Sequence, residues 1–252
     1  VLPDLPPTSK VRDIRLKEPL RVYTTDGQLM GEFGDERRIT IPIEEAPDLL
    51  IKAILAAEDD RFFQHHGVDL SGVLRAVIAN LKSLDSRQGA STITMQVARN
   101  YFLSREKTYS RKIKEVLLAF RLERELTKAE ILELYLNKIF LGHRAYGFQA
   151  AASIYYNKRL SELSLAQLAM LAGLPKAPSR SNPVRDAQRA LDRRNYVLRR
   201  MHGLELISDS QYAGARSATV TAQRHKAKIQ VYAPYVSEIV RKHMVERYGD
   251  LA

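Results

Sequence analysis

The sequence contains no cysteine. This absence excludes a disulfide framework, a metal site built from thiolates and a cysteine nucleophile, and it leaves the redox compartment open. Long hydrophobic runs are also missing, because no apolar stretch approaches the roughly 18 residues that a membrane-spanning helix needs. The chain starts at Val1 rather than at methionine, so we expect that it was processed or cut from a longer protein and that an anchor helix has been lost.

Acidic residues are the minority charge. Forty Lys and Arg residues stand against 29 Asp and Glu residues, which gives a formal net charge of +11. Such an excess favours a polyanionic partner, which can be a nucleic acid, an anionic bilayer or a phosphorylated substrate, and the sign of the charge does not choose among them. With 45% hydrophobic residues in 252, the chain can bury one large core, and the composition argues against disorder.

The spacing of apolar residues divides the chain into three regions. Residues 1–45 contain β-favouring runs on either side of Asp26-Gly27, which predicts a hairpin turn and a short β element. Residues 46–200 follow the 3.6-residue period of helices, and residues 201–252 are polar with one more short helix near "YVSEIVRKHMVERY". The sequence therefore predicts a mainly α fold with a short N-terminal β element.

Local signals mark where some of these helices begin. Thr127 and Ser164 are each followed three residues later by a carboxylate or amide side chain, the capping-box pattern that satisfies free N–H groups at a helix start. Residues 81–90, "LKSLDSRQGA", are small and polar, which predicts a mobile loop between helices.

The stretch "EDDRFFQHHG" combines carboxylates, aromatic rings and imidazoles at the end of an apolar helix. If the helix continues, Glu58, Phe62 and His65 lie on one face, and apolar neighbours would raise the pKa of Glu58. The alternative is a helix end that is simply solvated by its charges. The adjacent pair His65 and His66 lacks the spacing of zinc ligands, so the stretch does not predict a zinc site.

The stretch "RQGASTITMQVARN" leads from a glycine into a run of hydroxyl side chains. Ser91 or Thr92 is predicted to cap a helix that contains Gln96. Free N–H groups and the helix dipole at such a start also favour an anion, so phosphate binding and a purely structural cap both remain open.

The stretch "RKIKE" places Arg111 and Glu115 at i and i+4, which on its own is compatible with a surface ion pair. The surrounding cations outnumber the local acids, and this excess suits a bound diphosphate better than a solvated helix face. These cations are Arg99, Arg105, Lys107, Arg111, Lys112, Lys114, Arg121, Arg124 and Lys128.

Taken together, these stretches resemble the peptidoglycan glycosyltransferases. "EDDRFFQHHG", "GASTITMQ", "RKIKE", "KAEILELYLN" and "LAGLPKAPSRSNP" follow one another in the order of that family's motifs, and the resemblance covers about residues 40–185. Within the family, the chain is similar to the glycosyltransferase domain of class A penicillin-binding proteins of the 1A type. One position departs from the pattern, since Met95-Gln96 stands where the family usually has Gln-Gln.

The resemblance implies an enzyme that polymerises lipid II, with inversion at the anomeric carbon and release of undecaprenyl diphosphate. Glu58 would be the general base. Arg111, Lys112 and Arg99 would hold the diphosphate, while Glu115 would orient them or ligate a divalent cation, Mg or Mn, bound with the phosphates. The other positions implied in substrate binding are Ser91, Thr92, Gln96, Asn100 and Arg180 in the donor or acceptor sites, with Asp59, Phe62 and His65 shaping and supporting the site.

The resemblance also implies a fold and a location. It predicts a lysozyme-like large lobe beside a small membrane-facing lobe, with residues 46–200 as the glycosyltransferase core and 201–252 as an extension towards a transpeptidase domain that is missing here. The location would be the outer face of the bacterial cytoplasmic membrane. Tyr101, Phe102, Leu103 and Tyr109 lie among cations and are predicted to contact an anionic bilayer, the alternative being that they are core. Inhibitors of the moenomycin type would bind.

Two other classes of protein compete with this interpretation. A nucleic-acid-binding module would leave the five motifs unexplained and shows no helix-turn-helix pattern, so we expect no nucleic acid partner. A lysozyme-like hydrolase could use the same Glu58, but cleavage of finished glycan needs no cations for a diphosphate. Ser104 and Lys107 match the Ser-x-x-Lys of penicillin-binding serine enzymes without that class's other motifs, so we expect no acylation by β-lactams.

Overall fold

The computed structural model describes most of the chain. The polar segment 81–90 that was predicted to be a loop lies outside the described residues, as do Arg105 and Lys107. The described residues are 5–6, 8, 11, 16, 18–72, 91–104, 108–225 and 229–249.

The N-terminal β element is an antiparallel hairpin. Strands β1 (Leu20–Tyr23) and β2 (Leu29–Phe33) pair directly, and Gly27 in the connecting turn has a φ of +83°. Glycine adopts this left-handed conformation without steric cost, so the turn predicted from Asp26-Gly27 is confirmed. A second, minimal sheet pairs β3 (Arg37–Arg38) with β4 (Ala145–Tyr146) in parallel.

Helices form most of the remaining structure, so the predicted mainly α fold class is confirmed. Thr127 and Ser164 both make the two hydrogen bonds of a capping box, as their spacing predicted. The helices are α1 (Asp48–Glu58), α2 (Ile93–Phe102), α3 (Tyr109–Glu125), α4 (Lys128–Lys138), α5 (Phe148–Tyr156), α6 (Leu165–Gly173), α7 (Ala187–Gly203), α8 (Asp209–Ser217) and α9 (Pro234–Tyr248).

Two groups of helices share one hydrophobic core. Helix α1 packs against α6 and α7, whereas α2 packs against α3 and α4. Fully buried residues such as Ile54 in α1, Ile93 in α2 and Leu198 in α7 belong to the same cluster. The C-terminal end of α1 therefore meets the start of α2 where the two groups join.

The last described helix packs on the first hairpin. Ser237 of α9 is buried, and its Oγ would lie 3.1 Å from a Cβ built at Gly31 of β2. Helix α7 extends to Gly203, slightly past the predicted boundary at residue 200. The division into 1–45, 46–200 and 201–252 stays a prediction.

None of the helices in the described ranges combines the length and the apolar character that a bilayer crossing requires.

Candidate active site

Glu58 is the last residue of α1. The helix stops there, because Asp59 leaves the helical conformation with a φ of −162°, and Phe62–Gln64 forms a separate 3-10 turn. The expectation that a continuing helix would align Glu58, Phe62 and His65 is therefore wrong. Short carboxylate side chains often end a helix by bonding to groups outside it, and Asp59 does so.

The buried carboxylate of Asp59 connects three parts of the site. One oxygen lies 2.9 Å from Nε2 of His65, and the other accepts a hydrogen bond from the backbone N–H of Ile93 at 3.0 Å. Ile93 is the first residue of α2, so Asp59 satisfies a free N–H group at that helix start. Asp59 and His65 thus fix the start of α2 to the end of α1.

Glu58 is nearly buried, with 11% of its side chain exposed. Its Oε2 accepts a hydrogen bond of 2.9 Å from Nε2 of Gln96, whereas its Oε1 has no hydrogen-bond partner. Burial raises the pKa of Glu58, and the hydrogen bond from Gln96 together with the charges of Arg193, Lys176 and Arg99 opposes this rise. A carboxylate with a raised pKa and one oxygen that accepts no hydrogen bond is suited to accept a proton.

The start of α2 is held by Thr92. Its Oγ1 accepts from the N–H of Met95 and donates to the carbonyl of Gly67, so Thr92, and not Ser91, is the cap. Gly67 has a φ of +88°, and a Cβ there would lie 2.9 Å from the backbone of Ala119. Only glycine permits this approach to α3, which brings α2 and α3 side by side.

Glu115 lies in α3 with 1% of its side chain exposed. One of its oxygens pairs with Arg111 Nη1, and the other lies 3.1 Å from Lys112 Nζ. Lys112 Nζ also donates to Ser91 Oγ at 2.8 Å, and Nε of Arg111 has no hydrogen-bond partner. The buried acid thereby holds two cations at the start of α2, and both retain N–H groups for a further anion.

Helix α2 connects the carboxylate to the cation pair. Ser91, just before the helix, contacts Lys112, and Gln96 contacts Glu58. The carboxylate and the cation pair therefore contact the N-terminal half of α2 and a residue just before it.

A second layer of contacts supports these residues. Phe62 is fully buried, and Nζ of Lys128 lies 4.3 Å from the centre of its ring. The same Nζ donates to the carbonyl of His65 and to Glu123, which also accepts from Thr94 of α2. This network joins α2, α3 and α4 beneath the site and fixes the segment that follows Glu58.

Three predicted site residues make fewer contacts. Arg99 is half-buried, and its charge acts on Glu58, which places it on the carboxylate side of α2. Asn100 is half-buried and Arg180 is exposed, and within the described chain neither side chain forms a hydrogen bond or an ion pair. Their roles in substrate binding stay predictions.

The contacts of Glu115 do not fit a metal held by the protein alone. Both of its oxygens are paired with cations. Among the described residues, no three His, Asp or Glu side chains are grouped so that they could hold a metal ion. A divalent cation bound together with the substrate diphosphate stays a prediction.

Two basic residues near Glu58 were not predicted. Nη2 of Arg193 lies 3.5 Å from Glu58 Oε1, and Lys176 follows α6 close enough for its charge to act on the same carboxylate. Lys176 lies within the quoted motif "LAGLPKAPSRSNP", which could have drawn attention to it. Arg193 belongs to an ordinary basic helix, and no local pattern distinguishes it from its neighbours.

The aromatic segment around residue 102 is only partly on the surface. Phe102 and Leu103 are half-buried and pack against the core, as does Tyr101, whose hydroxyl donates to the carbonyl of Leu134. These three residues are therefore partly buried against the core, and their contact with an anionic bilayer stays a prediction. Tyr109, in contrast, is 94% exposed.

Comparison with known proteins identifies the family. The family model described as Transglycosylase matches residues 26–202, which include both charged clusters and the helices that carry them. The chain belongs to the transglycosylase family. The match extends beyond the span of about 40–185 that the motifs indicated, and it confirms the predicted resemblance.

Individual transglycosylase relatives point to one type. The chain is 49% identical over 249 residues to Penicillin-binding protein 1A of Vibrio cholerae and 50% identical over 250 residues to that of Pseudomonas aeruginosa, covering 99% of this chain and 30% of each relative. The crystal structure of Penicillin-Binding Protein 1A from Haemophilus influenzae is similar with a TM-score of 0.54 at 34% identity, covering 94% of this chain and 25% of that one. The chain thus spans about a third or less of these relatives, and the shared fold agrees with the predicted lysozyme-like helical lobe.

Proposed function

We propose that the protein is a peptidoglycan glycosyltransferase that polymerises lipid II into linear glycan. The observation that carries this proposal is the pairing of two charged groups along α2. A buried carboxylate, one of whose oxygens accepts no hydrogen bond, contacts Gln96. A buried acid holds a pair of cations, one of which contacts Ser91. Membership of the transglycosylase family supports the same reaction class.

The proposed chemistry is one direct displacement. The 4-hydroxyl of an incoming GlcNAc forms a bond to C1 of MurNAc, and Oε1 of Glu58 accepts the hydroxyl proton. The bond between C1 and the diphosphate oxygen breaks, and the electron pair leaves with the lipid diphosphate. Attack from the face opposite the leaving group inverts the anomeric carbon.

The leaving diphosphate carries the negative charge that develops in this step. Arg111 and Lys112 are arranged to neutralise it, since Glu115 orients both cations without using all of their N–H groups. Of the two roles predicted for Glu115, orientation of the cations agrees better with its contacts than metal ligation does.

A hydrolase that cleaves finished glycan is the second candidate. It would also need an acid or base such as Glu58. It would not need Arg111 and Lys112 at the site, because cleavage of a lipid-free strand has no diphosphate leaving group. The buried Glu115 and its two cations therefore favour the transferase.

Incubation with labelled lipid II separates the two candidates. We expect the wild-type protein to convert lipid II into long glycan with release of undecaprenyl diphosphate, to be inhibited by moenomycin, and to leave purified lipid-free strands intact. Gel separation of the glycan and chromatography of the lipid measure both products. If the protein solubilises lipid-free strands and makes no polymer from lipid II, it is a hydrolase and the proposed transferase function is wrong.

We also propose that the protein works at the outer face of the bacterial cytoplasmic membrane, where a lipid-linked substrate resides. Helix α3 offers a surface for this contact in addition to the residues first predicted. Ile113 and Phe120 of α3 are 57% and 41% exposed and lie on the same face as Tyr109, beside the exposed cation Lys112. Exposed apolar residues next to cations suit the interface of an anionic membrane.

Replacement of Ile113 and Phe120 by serine should weaken binding to anionic vesicles and barely change the melting temperature, because both side chains already face solvent. The paired change Phe102→Ser and Leu103→Ser should instead lower the free energy of unfolding by about 2 kcal/mol or more, since these residues cover the core. Vesicle sedimentation and thermal unfolding measure the two effects. Tyr235 and Ile239 of α9 are 79% and 51% exposed, and their change to serine is the control. If the variant with serine at positions 113 and 120 binds vesicles as wild type does, α3 is not the surface that contacts the membrane.

A further inference from the structure

The guanidinium of Arg193 reaches across from α7 to the candidate base. Its Nη2 lies 3.5 Å from Oε1 of Glu58, and its Nε donates a hydrogen bond of 3.2 Å to the carbonyl of Gly173 at the end of α6. Its Cζ also lies 4.4 Å from the centre of the Tyr196 ring. Three separate contacts thus fix the position of this cation.

The surroundings of Arg193 admit little movement. Its side chain is 18% exposed, so most of it is removed from solvent. A Cβ at residue 173 would lie 2.8 Å from Cγ of Arg193, which is closer than real Cβ atoms come, so the absence of a side chain at Gly173 makes room for the arginine. A buried, pre-oriented charge acts more strongly on its neighbours than one on a solvated surface.

The two oxygens of Glu58 have different partners. Oε2 accepts from Gln96, whereas Oε1 faces Arg193 without forming a hydrogen bond to it. The cation is therefore next to the buried oxygen that has no hydrogen-bond partner.

Other charged or titratable groups also surround Glu58. Arg99 of α2 and the exposed Lys176 act on its carboxylate, and the buried hydroxyl of Tyr135 in α4 feels its charge. The neighbouring Asp59 is bonded to His65. Arg193 is the cation for which the structure gives an ion-pair contact with Glu58 in the described chain, and its charge outweighs those of Lys176 and Arg99 on that carboxylate.

We propose that Arg193 is a positioning residue, whose guanidinium keeps the buried carboxylate of Glu58 ionised and oriented so that Oε1 can take the proton of the acceptor hydroxyl. The inference rests on the proposed role of Glu58 as general base. In this role, Arg193 offsets the effect of burial on the pKa of Glu58. Burial favours the neutral acid, and the nearby cation favours the anion that the reaction requires.

The replacement Arg193→Gln should raise the pKa of Glu58 and move the acidic limb of the pH profile for lipid II turnover upward by about 1 pH unit or more, the range expected for the loss of a close opposite charge. At a pH on that limb, kcat should fall about tenfold while KM changes little. Arg193→Lys keeps the charge but loses the planar fork, so it should restore most of the wild-type pH profile. If Arg193 had a purely structural role, Arg193→Gln and Arg193→Lys would be impaired alike, and the acidic limb of the pH profile would not shift.

Arg200 provides a matched control. It lies two turns further along α7. It joins this helix to α1 through the carbonyl of Ala56, and to the segment after α1 through Asp60 at 2.6 Å. Arg200→Gln should lower the melting temperature without shifting the acidic limb. If it shifts the limb as much as Arg193→Gln does, a general loosening of α7 explains the effect and the proposal fails.

A titration that does not need turnover tests the coupling separately. In protein labelled with ¹³C at glutamate carboxyls, the signal of Glu58 is identified by its loss in Glu58→Gln, and its midpoint is compared between wild type and Arg193→Gln. A higher midpoint in the Arg193→Gln protein supports the proposal even if wild type makes no glycan from lipid II, a result that would count against the proposed function alone. Equal midpoints would overturn the proposal whatever the activity.

Discussion

Replacement of Glu58 by glutamine is expected to reduce lipid II turnover by about 100- to 10,000-fold, the range typical of a lost general base. Glutamine retains the shape of the side chain and can still accept the hydrogen bond from Gln96. It cannot take a proton from the acceptor hydroxyl. Initial rates of glycan formation by wild type and variant measure the effect.

Stability distinguishes this loss from unfolding. Because burial raises the pKa of Glu58 above its ordinary value of 4.5, the folded state binds the proton more tightly than the unfolded state does. The ionised Glu58 therefore lowers the free energy of unfolding as the pH rises above about 4.5. At neutral pH, Glu58→Gln should consequently unfold at the same temperature as wild type or higher.

The exposed Glu45, changed to glutamine, is the control and should leave both rate and stability unaltered. Near-normal polymerisation by a folded Glu58→Gln protein would remove Glu58 as the base.

Replacement of Arg111 by alanine is expected to lower kcat/KM for lipid II by about ten- to a hundredfold, because a hydrogen bond to a charged group contributes about 1.5–3 kcal/mol. Moenomycin should lose affinity in the same variant, since its phosphate would meet the same cation. Steady-state kinetics and calorimetric titration with moenomycin measure the two losses.

The same helix offers a matched control for Arg111. Arg121 and Glu125 form an ion pair with the same i, i+4 spacing as Arg111 and Glu115, but Arg121 has 43% of its side chain exposed. Arg121→Ala should change neither the kinetics nor the inhibitor affinity, because exposed pairs contribute little. If Arg111→Ala and Arg121→Ala lose equal amounts of kcat/KM and inhibitor affinity, the overall positive charge of α3 explains the effect. A specific diphosphate site at Arg111 would then be ruled out.

Glu115→Ala tests whether a divalent cation takes part. If Glu115 only orients Arg111 and Lys112, the loss of activity in this variant should be independent of Mg²⁺ or Mn²⁺ concentration. A loss that high cation concentration reverses would favour metal ligation, the other role predicted for Glu115. The titration therefore decides between the two roles.

Much of the candidate site was predictable because its parts are marked by short motifs. The sequence brought Glu58, Gln96, Arg111 and Glu115 to attention. The structure places Glu58 at the end of α1 against Gln96 of α2, and it pairs Arg111 with Glu115 in α3. The sequence motifs gave no sign of Arg193, which lies 135 positions after Glu58 in an ordinary basic helix. No local period relates two residues so far apart, so only the packing of α7 on α1 could bring them together.

The sequence by itself determined the features whose interactions join residues only a few positions apart in the chain. The hairpin at Asp26-Gly27 and the capping boxes at Thr127 and Ser164 depend on backbone conformation and on hydrogen bonds across three positions, so residue type was sufficient. Tertiary structure decided where α1 ends, because Asp59 bonds to His65 and to the start of α2 and not within its own helix. It also decided that Phe102 and Leu103 cover the core. An apolar residue beside cations gives the same sequence pattern whether its side chain faces a bilayer or the protein interior. Only the packing of the neighbouring helices distinguishes these two positions.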